Sequence, residues 1–240
     1  MARITVLGAT GLTGQELVRQ ALDAGHDVTA LVRRPEALPI RHGRLEVVVG
    51  DATDADAIAR VADGRDGLIS SLGRPESGRD KDTIDDSVSV EVCAVSTAHL
   101  IELSRAGRGV PRAVFMSTHG AGTSNDGSAY SVKLRDLVGN RVADKDHMEQ
   151  LLSESTAPLS WTVVRNPYIY AGERGRPHAV YRRIELDDTS SIAYPDLAAF
   201  ALAELLEPRF EREILTITEP LTGPAAGLPA DIAAELGARS

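Results

Sequence analysis

Residues 6–15 read VLGATGLTGQ, with glycines at 8, 11 and 14 directly behind the apolar run of RITVLG and directly ahead of an amphipathic stretch. No other part of the chain restricts its fold as strongly. Glycine costs conformational entropy, so three of them at regular spacing between a strand and a helix need a reason. The start of a helix offers one: its first N–H groups are unpaired and lie at the positive end of the helix dipole. A diphosphate can dock there if no side chain keeps it from the backbone. In that arrangement Gly8 makes the tight turn, Gly11 allows the close approach and Gly14 lets helix pack on strand. Thr10 and Thr13 add hydroxyl groups on either side of Leu12. A glycine-rich turn without a ligand is the plain alternative, but a strand before it and a helix after it favour dinucleotide binding.

The rest of the chain repeats the strand–helix alternation. HDVTALVR, LEVVVGD, DGLISSLG, RAVFMST, LSWTVVRNP and REILTIT read as further strands. GQELVRQALDAG, ATDADAIARVADG, SVSVEVCAVSTAHLIELSRAG, DKDHMEQLLSES and YPDLAAFALAELLE read as helices. This alternation predicts an α/β fold of the Rossmann type, a doubly wound parallel sheet flanked by helices on both faces, in one domain over residues 1–240. Three irregular stretches, 73–86, 119–130 and 171–183, each follow the C-terminal end of a predicted strand. That edge of an open α/β sheet is where a ligand crevice forms, so the three loops are expected to rim it. The last 21 residues, with Pro220, Pro224 and Pro229, read as an extended tail and a short helix on the outside.

Composition excludes several classes. A formal net charge of −9 argues against nucleic acid or an anionic membrane surface as partner. No apolar run is long enough to span a bilayer, and the chain enters a strand at once, which leaves no room for a signal peptide. The single cysteine, Cys93, cannot form an intrachain disulfide; it fits a cytoplasmic protein, as a buried structural thiol in an apolar stretch. No His/Cys/Asp cluster has metal-ligand spacing, and no G-x-S-x-G elbow suggests a hydrolase. The expected partner is a small-molecule substrate, with the protein a monomer or homodimer.

The end of the second strand bears on the choice between NAD and NADP. NAD sites usually place an acid there for the ribose 2′-hydroxyl. This chain has Arg33 and Arg34, which would pair with a 2′-phosphate, and no acid before Glu36. The reading is NADP(H), with two solvated surface arginines as the alternative.

GATGLTG has the spacing G-x-x-G-x-x-G and closely resembles the fingerprint of the atypical short-chain dehydrogenase/reductases, among them NmrA-like proteins and the biliverdin reductase B/flavin reductase group. LVRRPEAL, GDATD, SSLG, VFMST, WTVVRNP and YPDLAAFAL extend the resemblance over most of residues 1–217. By this resemblance Asp51 and Ala52 border the adenine, Ser71, Leu72 and Gly73 line the diphosphate and nicotinamide ribose, and Pro167 and Tyr168 flank the nicotinamide. The wider group uses a serine with a Y-x-x-x-K helix. Ser117 matches the serine, but the tyrosine does not match cleanly: Tyr130 has Lys133 three residues on, and Lys145 has Arg141 four before it. The resemblance therefore assigns Lys145 to the nicotinamide ribose and Ser117 or Thr118 to the substrate. Tyr130 stands as a loop-borne acid, with His119 and His147 as alternative proton carriers and His147 expected on the surface. What it implies is an NADPH-dependent reductase of a flavin, tetrapyrrole, quinone or carbonyl compound. An NADP(H)-binding redox sensor without turnover and a non-redox isomerase or cyclase remain open on the same fold.

Overall fold

A computed structural model describes residues 1–73 and 91–221 of the 240-residue chain. The elements run β1 (Arg3–Leu7), α1 (Leu12–Asp23), β2 (Asp27–Val32), β3 (Leu45–Val49), α2 (Ala55–Ala62), β4 (Gly67–Ser70), α3 (Val92–Arg105), β5 (Arg112–Thr118), α4 (Ala129–Val138), α5 (Asn140–Glu154), β6 (Ser160–Asn166), β7 (Tyr168–Tyr170), β8 (Ala179–Tyr181), β9 (Ser191–Ala193), α6 (Tyr194–Leu206) and β10 (Glu213–Thr218). The main sheet has the order β3-β2-β1-β4-β5-β6-β10-β8. All of its pairings are parallel except β8 against β10. This is the doubly wound order, and its reversal falls between β1 and β4, where the chain leaves the sheet in opposite directions.

Side-chain alternation along the strands divides the core in two. Val114, Met116 and Val164 point to one face, where Leu17, Val18 and Leu22 of α1 and Leu197, Ala201 and Leu205 of α6 cover them. Ala113, Phe115 and Val163 point to the other, under Ile58 of α2, Leu100 of α3 and Met148 and Leu152 of α5. The predicted strands and helices are present. The first four residues of the third predicted helix, the loop 74–86 and the tail beyond residue 221 lie outside the described residues.

Three departures matter for the site. The stretch after β5 is irregular only to residue 128: α4 begins at Ala129, capped by Ser128, whose hydroxyl accepts from Ser131 N. Tyr130 therefore stands in the first turn of a helix and not on a loop. Its sequence neighbours lack a clear apolar period, and α4 is held instead by polar ties: Arg135 donates to Gly120 O at 3.0 Å and to both oxygens of Asp146. The stretch 171–183 contains β8, and Pro167 is followed at once by β7, which pairs in parallel with β9 as a separate two-stranded ribbon. Three-residue strands carry too little pattern to be read from sequence.

The candidate cofactor cradle and polar site

The three glycines do three different things in the structure. Gly8 has φ +76°, and a Cβ there would lie 2.3 Å from the carbonyl oxygen of Ser71 on β4's continuation. A Cβ on Gly14 would lie 2.1 Å from the carbonyl oxygen of Gly8 and 2.9 Å from the Cα of Ala9. Both positions are closed by backbone, so both glycines are demanded by packing. Gly11 is different: its φ is −73°, and its Cβ would meet nothing nearer than Gly8 O at 3.5 Å. The described residues leave that side of Gly11 open. Gly11 is also the N-cap of α1, brings no side-chain bond to the first turn, and is followed by no acidic residue there. By contrast Asp54 caps α2, Ser128 caps α4, and Asp144 of α5 caps α3 by accepting from Cys93 N and Ala94 N. The positive end of α1 is thus left without a side-chain cap among the described residues, and the cradle fits a diphosphate.

Around this turn the predicted contacts sort themselves by exposure. Leu12 is exposed, Thr10 is half-buried and Thr13 is buried. Arg33 and Arg34 are exposed just past β2. Asp51 Oδ1 accepts from Thr53 N at 2.9 Å and from Thr53 Oγ1 at 2.8 Å. The Thr53 N–H is the main reason its carboxyl sits below the ordinary range, with the Arg33 charge adding to it. The Ala52 methyl group belongs to the apolar cluster under α2. The Leu72 carbonyl accepts from Lys145 Nζ at 2.7 Å. Ser71 is half-buried and Gly73 exposed; Pro167 is buried, and Tyr168 projects at the start of β7.

Lys145 is buried, and its Nζ bridges the ends of two strands, donating to Leu72 O and to Met116 O at 2.5 Å. Two of its three protons go to these carbonyls, and the Cys93 thiol lies within its reach at the same edge. Cys93 Sγ lies 3.5 Å from the same Leu72 carbonyl, and burial pushes its thiol up to about 11, so it is an inert core group as predicted.

Strand register then places three polar side chains at one level on the α5 face. Ser117 of β5 is opposite Arg165 of β6, and Arg165 is opposite Thr216 of β10. Glu149, one turn after Lys145 on α5, joins them: its Oε1 accepts from Ser117 Oγ at 2.6 Å and from Arg165 Nε at 3.0 Å, and its Oε2 accepts from Arg165 Nη2. Ser117 is 3% exposed and Glu149 2%. The Ser117 hydroxyl donates to this carboxylate, which is paired with Arg165, so the one proton of Ser117 is committed and only its lone pairs remain. Ser117 as it stands can accept a hydrogen bond but cannot also donate one to a substrate. Thr118, on the opposite side of the strand, is half-buried and makes only long contacts, 3.4 Å to His119 O and 3.5 Å to Asn166 O.

His119 extends the polar row. It is 1% exposed, and its Nδ1 lies 3.1 Å from Thr216 Oγ1. Burial, with the Arg165 charge beside it, holds the imidazole down to about 4, so the ring is neutral near pH 7. The Tyr130 ring meets it edge-on, with centres 5.6 Å apart and planes at 67°. Lys133 is turned away to an exposed pair with Asp188, and His147 is a surface residue 3.4 Å from Glu91. Asp144, Glu149 and Thr216 were not singled out as site residues by sequence. The sequence signal for Glu149 is its place four residues, about one helical turn, after Lys145; Thr216 carries none, because its role arises from register across three strands. Among the described residues no group of acidic, histidine and cysteine side chains could hold a metal ion, and no helix is long and apolar enough to cross a membrane.

Comparison with known proteins places this geometry. Similar solved structures include an anaerobilin reductase, ChuY, from Escherichia coli O157:H7, with a TM-score of 0.73, 19% identity and coverage of 92% of this chain and 99% of that one. A wide-type short-chain dehydrogenase/reductase from Veillonella parvula, solved with NADP, has a TM-score of 0.72 at 19% identity over 94% and 98% of the two chains. At such identities these show a shared fold. Curated relatives match only in part. A 3β-hydroxysteroid dehydrogenase/Δ5→4-isomerase of Mycobacterium tuberculosis is 44% identical over 69 residues, 29% of this chain and 18% of that protein. A (4-alkanoyl-5-oxo-2,5-dihydrofuran-3-yl)methyl phosphate reductase of Streptomyces griseus is 36% identical over 101 residues, 42% of this chain and 34% of that protein. The matches thus span about a third of those relatives at most. The profile of the NAD(P)H-binding family matches residues 8–208, from the first glycine of the cradle through the end of α6, and the chain belongs to that family.

Proposed function

We propose that the protein is an NADPH-dependent reductase of a small molecule with a polarised double bond, of the flavin, tetrapyrrole, quinone or carbonyl kind. The observation that carries this reading is the polar set gathered at the edge next to the cradle: Lys145 bridging two strand ends, Ser117 with spare lone pairs, and Tyr130 beside His119. A protein that only sensed the dinucleotide would need the glycine cradle but not this set. The reductases among its relatives and structural neighbours agree with the reading.

Bound NADPH supplies the hydride. The chain's own residues do the rest. The open side of Gly11 and the first turn of α1 take the diphosphate, and Arg33 and Arg34 take the 2′-phosphate. Lys145 holds the nicotinamide ribose. Ser117, held by Glu149, accepts from a ribose hydroxyl or the carboxamide N–H. The substrate atom that becomes negative as its neighbour receives the hydride takes a proton from the Tyr130 phenol, which solvent then restores. The loops at 119–128 and 171–178 border the substrate and exclude water.

The test is turnover of NADPH, followed by its absorbance loss at 340 nm, with purified protein and a panel of flavins, quinones and carbonyl compounds. Reduction of at least one compound, lost in the Tyr130→Phe variant, is the expected result. Tight NADPH binding without any turnover would reject the reductase reading in favour of a sensor.

A further inference from the structure

The connection from β5 to α4 is gripped on two sides by its glycines. Gly120 has φ +99°, and a Cβ there would lie 3.0 Å from Leu134 Cδ2 and 3.7 Å from the Cα of Ser131, both on α4. Gly122 has φ +49°, and a Cβ there would lie 2.2 Å from Glu149 Oε2 and 2.9 Å from Arg165 Nη2. The helix that carries Tyr130 is thus seated on one glycine. The buried pair that holds Ser117 is pressed against another, two residues on. Arg165 Nη2 also donates to Thr123 Oγ1 at 3.1 Å, which adds to the second grip.

Asp146, the residue after Lys145 on α5, locks this wedge. Its Oδ1 accepts from Gly122 N at 2.6 Å, and its two oxygens accept from Arg135 Nη2 at 2.8 and 2.7 Å. Arg135, on α4, also donates from Nε to Gly120 O at 3.0 Å. One carboxylate and one guanidinium therefore join α5, the glycine turn and α4. Their side chains are 33% and 29% exposed, a setting in which an ion pair adds little net stability. What such a planar, multiply bonded contact does fix is direction as well as distance. Val132 and Leu137 of α4 are exposed, so the helix has few apolar contacts to hold its pose instead.

We infer that Asp146 and Arg135 are a positioning pair, which sets the pose of α4 and with it the place of Tyr130 relative to Lys145 and Ser117. The inference rests on Tyr130 being the proton donor proposed above. The pair itself touches neither substrate nor cofactor and moves no proton. Its leverage comes from its place in the chain. Lys145 and Asp146 are adjacent on α5, so one helical turn sets the lysine between two strand ends and, through Arg135, the helix that brings the tyrosine. With the pair broken, the Lys145 and Glu149 contacts remain while α4 is free to shift.

The test compares Asp146→Asn and Arg135→Gln with the wild type, each as the full chain. Three quantities are read: kcat for a compound that the wild type reduces, the NADPH Kd by calorimetry, and amide hydrogen exchange along α4. A misplaced catalytic group costs about 10- to 100-fold, so kcat should fall by that much in each variant. The NADPH Kd should stay nearly unchanged, and exchange over residues 129–138 should rise while that of α6 does not. Where Tyr130→Phe leaves a residual rate, adding Asp146→Asn should lower it by less than about twofold, since a residue that acts through the phenol has nothing left to act on. If Asp146→Asn fails to fold, Arg135→Gln decides, because it keeps the bond between Asp146 and Gly122 N. Unchanged kcat and unchanged α4 exchange in a folded variant overturn the inference. So does a rate loss in the Tyr130→Phe background as large as that in the wild type. Wild-type turnover in Tyr130→Phe instead overturns the proton-donor reading on which the inference rests, so the two failures are told apart.

Discussion

The glycine cradle allows fold and binding to be separated by single substitutions. Gly11→Val places its side chain where the nearest protein atom is 3.5 Å away, at a φ of −73° that any residue accepts. Its structural cost is that of a poorer N-cap, about 1 kcal/mol. For a chain of this size that lowers Tm by roughly 2–4 °C. The same side chain fills the space left for the diphosphate and shields the first N–H groups of α1. A hydrogen bond to a charged group is worth about 1.5–3 kcal/mol, so losing even one weakens NADPH binding about 10- to 100-fold. Gly14→Ala behaves in the opposite way. Its methyl group meets the Gly8 carbonyl oxygen at 2.1 Å, and neither the turn nor the helix can give without moving backbone. A cost of at least about 3 kcal/mol is expected, a fall in Tm of roughly 6–12 °C. Gly8→Ala adds a strained positive φ to a 2.3 Å contact with Ser71 O and should do the same. Thermal melts and calorimetric titration with NADPH measure both axes. A folded Gly11→Val protein that binds NADPH at the wild-type Kd, or a Gly14→Ala protein that melts at the wild-type temperature, would refute the reasoning.

Further expectations follow from the same geometry. The double substitution Arg33→Ala, Arg34→Ala should weaken NADPH binding by about one to two decades and leave NADH nearly unchanged; equal affinities of the wild type for both cofactors would reject the 2′-phosphate assignment. Ser117→Ala should raise the KM for NADPH several-fold while kcat falls less than in Tyr130→Phe, because the Ser117 proton is already on Glu149; a kcat loss equal to that of Tyr130→Phe would return the serine to the acid's role. Glu149→Ala leaves the Arg165 guanidinium buried without its partner and should cost about 3–5 kcal/mol in urea unfolding, whereas a loss under about 1 kcal/mol would show the pair is not stabilising. His119 makes folding stability depend on pH: its folded value of about 4 lies below the ordinary 6.5, so between these the unfolded chain binds a proton that the folded chain does not. The stability is present above about pH 6.5 and is lost as pH falls toward 4, by up to roughly 3 kcal/mol, and a urea midpoint whose pH profile is the same in His119→Gln would contradict it.

Much of this protein is readable in one dimension because its controlling signals are local. A strand, three glycines and a helix occupy residues 3–23, and every reason for the glycines except one lies within that span. The exception is Gly8, whose second constraint is the carbonyl of Ser71, brought close because β4 pairs with β1. Alternating apolar strands and amphipathic helices likewise declare a covered parallel sheet, since each pattern is a statement about which face is buried. Arg33 and Arg34 were legible as a pair because their place just beyond a strand end depends only on counting. What the sequence could not express was the direction of hydrogen bonds and the identity of distant neighbours. Ser117 looks like a free hydroxyl until α5 sets Glu149 over it, and Lys145 like a free cation until two carbonyls take its protons. Tyr130 looks like a loop residue because α4 is held by Arg135, Asp146 and Ser128 instead of by an apolar stripe. Thr216 and His119 are 97 residues apart, and they meet because β5, β6 and β10 lie side by side in register. Periodicity records which residues avoid water; it holds no record of which polar group, folded in from another strand, receives a given proton, and in this protein that second question decides the site.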